Sequence, residues 1–151
     1  MANQPANRSL PIALLRARES VMDRFRPMLH RLDITEQQWR VLRVLREAEA
    51  LDASELARRA AILAPSLSRI LKTLEARSLI AMGKDPADGR RSLVSLTSEG
   101  HAFLSKAAPE SAAIYAEIEA LLGRGRIDAL IDELDAFCLA LSSEGPSGAG
   151  R

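Results

Sequence analysis

The run from Asp85 to Gly100, Asp-Pro-Ala-Asp-Gly-Arg-Arg-Ser-Leu-Val-Ser-Leu-Thr-Ser-Glu-Gly, constrains this chain more than any other stretch. Its opening Asp, Pro and Gly spell a turn: Pro presets φ, Gly tolerates positive φ, and Asp bonds its own backbone. Ser92 to Leu96 then alternates polar and apolar residues at the period of a strand, and Leu79 to Gly83 supplies its partner before the turn. Thr97 or Ser98 caps a helix immediately afterwards. A hairpin tip with two adjacent arginines, leading straight into a capped helix, leaves few folds open.

The residues upstream narrow the choice. Thr35 and Gln38 form a capping box, flanked by Ile34 and Trp39 at staple positions, and open a helix whose apolar face continues through Val41, Leu42 and Leu45. Asp52 and Glu55 repeat the device between Leu51 and Leu56, opening a short helix from about Ala53 to Ala60. A brief connection, Ala61 to Ala64, leads to a fourth helix with Pro65 in its first turn. Leu67, Ile70, Leu71 and Leu74 turn inward at helical spacing, and the other side carries Ser66, Ser68, Arg69, Lys72 and Thr73. Two short helices with a tight joint make a helix-turn-helix, and the hairpin after it is a cationic wing.

Helices also flank this unit. Ile12, Leu15, Met22, Phe25, Leu29 and Leu32 predict a first helix over about 11–32, with a kink or break near Phe25 because Pro27 lies inside it. Phe103, Ala107, Ile114, Ile118 and Leu121 predict a long helix bent at Pro109. Gly123 to Gly125 breaks that run, and a last helix follows from about Ile127 to Leu141. The fold class is mainly α with a small β-hairpin wing. Residues 10–34 and 98–141 are read as dimerisation helices and 35–97 as the winged helix-turn-helix. Residues 1–9 and 142–151 are read as disordered tails. The apolar stripes of the flanking helices are too many to bury alone, so a two-fold pairing of chains is expected.

Composition supports a binding protein. The net charge of +1 hides an uneven distribution: residues 53–91 carry +4 and residues 92–151 carry −5. A basic centre on an acidic flank suits a module that meets a polyanion. The single cysteine, Cys138, excludes an internal disulfide and a cysteine-based zinc site. Its place on an apolar stripe predicts a buried thiol, with a redox-sensing role as the alternative. His30 and His101 are too few for a metal site. No glycine-rich phosphate loop or nucleophile turn is found, so neither a cofactor nor an enzymatic activity is expected. No run is long enough to span a bilayer and no secretory leader is visible, which predicts a cytoplasmic location.

The site residues follow from what duplex DNA requires. Small hydroxyls let a helix sink into the major groove, and long cations reach guanine edges or phosphates. Pro65, Ser66, Ser68, Arg69, Lys72 and Thr73 fit that need, with Ser54 at the start of the preceding helix. Arg90 and Arg91 suit a minor groove, and Asp88 is expected to aim Arg90 through an ion pair. An inter-helical junction flanked by Arg18, His30, Trp39 and Arg40 offers cations for a carboxylate and an indole for an aromatic ring. A winged helix used only to dock proteins remains a rival from a different class.

With those residues in view, the chain resembles the MarR family of winged-helix regulators from about Leu10 to Leu141. The likeness is sharpest at Asp88, Arg90, Val94, Leu96, Thr97 and Gly100. Ala13–Glu19, Phe25-Arg26-Pro27, Thr35–Arg40 and Ile62–Leu67 are similar to the homoprotocatechuate-degradation regulators, the HpaR group. The resemblance implies a homodimeric repressor of aromatic catabolism genes, bound to a palindromic operator on double-stranded DNA and released by a small aromatic acid. Ser78 departs from the family pattern, which has Gly before Leu-Ile. A positive φ there would strain a serine by roughly 1 kcal/mol.

Overall fold

A computed structural model describes residues 8–143. Most of the two tails expected to be disordered therefore lies outside the described residues, although Ser142 and Ser143 belong to the last helix. The elements in order are α1 (Leu10–Arg31), α2 (Glu36–Arg46), β1 (Leu51–Asp52), α3 (Ala53–Ala60), α4 (Ala64–Ala76), β2 (Ile80–Lys84), β3 (Ser92–Leu96), α5 (Ser98–Leu122) and α6 (Arg124–Ser143). The chain divides into two compact units, one ending at Ser111 and the other beginning at Ala112. The expected class holds: mainly helical, with a small antiparallel wing.

The capping signals form as written. Thr35 Oγ1 accepts the Gln38 backbone N–H and Gln38 Oε1 accepts the Thr35 N–H, both at 3.1 Å. Asp52 Oδ1 accepts the Glu55 N–H at 2.8 Å. The second box stays half-formed, because the Glu55 side chain turns away to Arg58 and Arg59. The staple residues Ile34, Trp39, Leu51 and Leu56 are all buried. The core of the first unit gathers Val41, Leu42 and Leu45 of α2, Leu56 of α3, and Leu67, Leu71 and Leu74 of α4. Val94 of β3, Met28 of α1 and Leu104 of α5 complete it.

Two expectations need correction, the strand count and the break near residue 123. The sheet has a third strand: β1 pairs antiparallel with β3, Leu51 opposite Val94 and Asp52 opposite Leu93, giving the order β1-β3-β2. Two residues are too short to show alternation, and Asp52 also serves as the cap of α3. Helix α1 carries Pro27 and helix α5 carries Pro109 without an interruption of the helix. A proline forfeits one backbone hydrogen bond, and buried neighbours hold the helix around it: Phe25, Met28 and Leu29 beside Pro27, Ala107 and Ser111 beside Pro109. The break near residue 123 is narrower than expected. Gly123 alone leaves the helix, at φ +83, and α6 starts at Arg124 rather than near Ile127.

Ser78 does take a positive φ, +60°. The turn it makes brings Leu79 back over the start of α5, where the Leu79 carbonyl accepts the Thr97 N–H at 3.2 Å. Thr97 Oγ1 accepts the Gly100 N–H at 3.0 Å and donates to the Ser78 carbonyl, so one hydroxyl caps α5 and fixes the turn. Ser78→Gly should relieve the left-handed strain and raise stability by about 0.5–1 kcal/mol, after allowance for the freer unfolded chain. A thermal melt checks this, and a lowered midpoint would contradict the account of the turn.

Candidate nucleic-acid interface

Helix α4 presents its apolar stripe to the core and leaves Pro65, Ser68, Arg69, Lys72 and Thr73 exposed, with Ser66 half-buried. Ser68 Oγ donates to the Ala64 carbonyl at 3.5 Å and Thr73 Oγ1 to the Arg69 carbonyl at 3.2 Å. Their protons are used within the helix and their oxygens are left to accept. Ser54, in the first turn of α3, is exposed as well.

The wing is a built loop. The Asp85 N–H donates to the Arg91 carbonyl at 2.9 Å, and the Arg91 N–H to the Asp88 carbonyl at 3.0 Å. Asp85 Oδ1 accepts the Ala87 N–H at 2.9 Å and Asp88 Oδ1 accepts the Arg90 N–H at 3.1 Å. The expected side-chain ion pair between Asp88 and Arg90 does not form. A short carboxylate in a turn bonds the backbone two residues on more readily than a side chain, so Asp88 aims Arg90 by fixing its main chain.

Cations of the basic unit fall into two groups. Arg58 and Arg59 are both held by Glu55, Nη2 of the first at 2.6 Å and Nε of the second at 2.7 Å. This pairing lowers the Glu55 carboxyl to about 2. Arg77 donates to the Leu32 and Asp33 carbonyls and lies 5.6 Å from the Phe103 ring centre. Arg91 is tied to Asp52 Oδ2, which pins the wing to the start of α3. The Glu55 N–H first, and then Arg91, hold the Asp52 carboxyl below the usual carboxylate range. The head groups of Arg69, Lys72, Lys84 and Arg90 make no hydrogen bond or ion pair among the described residues. They are the side chains available to an outside anion.

Tertiary packing adds neighbours that the sequence did not suggest. A trough of about 330 Å³ runs between α2 and α4 and joins Thr35, Gln37 and Gln38 to Ser66, Arg69 and Thr73. Thr35 and Gln38 read as a cap alone, and nothing in the sequence marked Gln37. Its amide stands ready to extend the polar face of α4.

The four residues expected around an effector have different surroundings. His30 lines an adjoining depression of about 290 Å³ with Asp33, Gln38, Thr73 and Arg77, which shares Gln38 and Thr73 with the trough. Trp39 is only 7% exposed and packs in the core. Arg18 Nη2 donates to Glu36 Oε2 at 2.7 Å, and Arg26 Nε to Glu36 Oε1 at 2.9 Å. Arg18 first, then Arg26, hold Glu36 below the usual carboxylate range against the effect of its burial. Arg40 donates to the Ala61 carbonyl at 3.4 Å. Burial, then the charge of Arg18, lowers the Arg40 guanidinium from its ordinary value. Arg18 and Arg40 thus stand near each other around a single carboxylate.

Cys138, expected in a buried stripe, is exposed, as α6 has no buried residue in the single chain. No helix among the described residues is long and apolar enough to cross a membrane.

The order of elements, the tight α3–α4 joint, the three-stranded wing and the untethered arginines define a winged helix-turn-helix. A MarR family model matches residues 32–91. The chain is 42% identical over 129 residues to the homoprotocatechuate degradative operon repressor of Escherichia coli, a match spanning 85% of this chain and 87% of that protein. NadR in complex with 4-hydroxyphenylacetate has a similar structure, with a TM-score of 0.80 and 40% identity over 91% of this chain and 97% of that one. The repressor CouR bound to a 23-mer DNA duplex gives a TM-score of 0.77 and 30% identity, covering 87% of this chain and 94% of that one. The chain belongs to the MarR family of transcriptional regulators.

Proposed function

We propose that this chain works as a homodimeric, sequence-specific DNA-binding repressor of aromatic-acid catabolism genes, released by a small aromatic carboxylate. The observation that carries the reading is the division among cations: Arg58, Arg59, Arg77 and Arg91 are engaged within the fold, while Arg69, Lys72, Lys84 and Arg90 are left for an external partner. Helix α4 enters the major groove and the wing tip touches the flanking minor groove. The likeness to CouR, which binds a duplex, supports this.

Residues 10–34 and 98–141 supply the dimer surface and residues 35–97 the reading head. Leu10, Leu14 and Leu15 of α1 are exposed, and so are Leu130, Ile131, Phe137, Leu139 and Leu141 of α6. Monomeric soluble proteins rarely leave so much apolar helix in water. A second copy covers it and sets two heads on a palindrome with half-site centres about 10 base pairs apart, or a multiple of that.

The effector carboxylate takes Arg18 and Arg40, whose mutual repulsion an added anion relieves. It acts by its differential affinity for a dimer whose heads no longer match the operator. Gel shifts with duplexes from the gene's own upstream region, repeated with 4-hydroxyphenylacetate and benzoate, test both parts. Retarded duplex released by an aromatic acid but not by acetate is expected; retardation that no aromatic acid alters would remove the effector from the account.

A further inference from the structure

The first turn of α4 differs chemically from the rest of its exposed side. Leu63 stands at the N-cap with extended backbone, φ −67° and ψ 141°, and its side chain caps nothing. Ser, Thr, Asp or Asn there would satisfy an orphan N–H of the helix start. Leu63 is also 79% exposed, more than any other large apolar side chain among the described residues. The staple across this helix start is already supplied by Ile62 and Leu67, which are 8% and 2% exposed. At one position the chain forgoes a cap and leaves an apolar side chain in water. Neither choice serves the fold.

Both make sense against a duplex, and here the argument rests on the DNA-binding reading above. The N-terminal residues of a recognition helix are the ones that meet base edges in the major groove. In this chain they are Leu63, Ala64 and Pro65, all exposed. None carries an amide, a cation or a carboxylate, so none forms the hydrogen-bonded pairs that select guanine, adenine or cytosine. One major-groove feature is apolar, the C5-methyl of thymine. Arg69 and Lys72 follow one to two turns later and supply the charge. We propose that Leu63 is a specificity-determining residue that reads the C5-methyl group of a thymine in each operator half-site.

The test uses the full chain. A duplex is selected from a randomised pool, and each thymine of its half-site is then replaced singly by deoxyuridine, which removes the methyl group alone. For the wild type, one or two replacements per half-site should weaken binding about fourfold, the worth of one buried methyl. Leu63→Ala should bind the thymine duplex about as weakly as the wild type binds the uridine one, and should no longer distinguish the two. Its melting temperature should be unchanged, since the side chain is exposed. If the wild type is indifferent to every methyl, or Leu63→Ala keeps the same discrimination, the assignment to Leu63 is overturned while DNA binding stands. If no duplex is selected at all, the DNA-binding reading falls and this assignment falls with it.

Discussion

Gly100→Ala should destabilise the protein by about 3 kcal/mol, the upper part of the usual range for forcing an extra methyl into a packed site. A Cβ built on Gly100 would lie 2.1 Å from the Leu79 carbonyl oxygen and 3.1 Å from its carbon. The obstacle is backbone, and no rotamer change clears it. That carbonyl cannot retreat cheaply, because it accepts the Thr97 N–H at the start of α5 and follows Ser78, which the Thr97 hydroxyl holds. Moving it strains the turn, the cap of α5 and the entry to β2 together. Denaturant unfolding measures the loss, and Gly83→Ala serves as the control, since no atom lies within 4 Å of a Cβ there. Equal, small effects at the two glycines would mean that α5 does not pack on Leu79 as described.

Arg90→Ala should weaken operator binding by about 1–3 kcal/mol, roughly 5- to 150-fold, with little change in melting temperature. Asp88 fixes the Arg90 backbone and no group among the described residues takes its guanidinium, so the side chain has nothing to lose within the described fold. Arg91→Ala should behave differently. Its guanidinium sits on Asp52, so the substitution removes one tie between the wing and the start of α3, beside the β1–β3 pairing, and takes a partner from an ionised carboxylate. Its effect on DNA should come with a lower melting temperature. Two neighbouring arginines would then separate cleanly, one as a contact and one as a positioning residue. Identical profiles would count against that division.

Local chemistry made most of the fold legible. Thr35 with Gln38, Asp52 before α3, Pro65 in α4 and the Asp85–Gly89 turn each announce an element through groups a few residues apart, and those elements form where their signals lie. The polar face of α4 was legible for the same reason, because helical spacing separates Leu67, Ile70 and Leu71 from Ser68, Arg69 and Lys72.

Features joining distant parts of the chain were harder to read. Strand β1 is two residues long and exists because β3 comes alongside it. The Arg91–Asp52 pair links residues 39 apart, and Arg18–Glu36 residues 18 apart. Such partners are chosen by packing, and no spacing rule announces them. Prolines are local signals of another kind: Pro27 and Pro109 each lie within an uninterrupted helix, beside buried side chains. Cys138 was placed by its stripe, but a stripe is buried only where something covers it, and α6 in a single chain has no cover.

The central claim is that untethered cations of α4 and the wing grip the phosphates and grooves of duplex DNA. An equilibrium titration of the full chain against its selected duplex, repeated across salt concentrations, tests it most directly. Each phosphate neutralised contributes about −0.9 to the slope of log affinity against log salt. The account predicts a steep slope, shallower by about one unit per head when Arg90 or Lys72 is replaced by Ala where it meets a phosphate. A salt-independent affinity, or a slope that none of these substitutions changes, would contradict it.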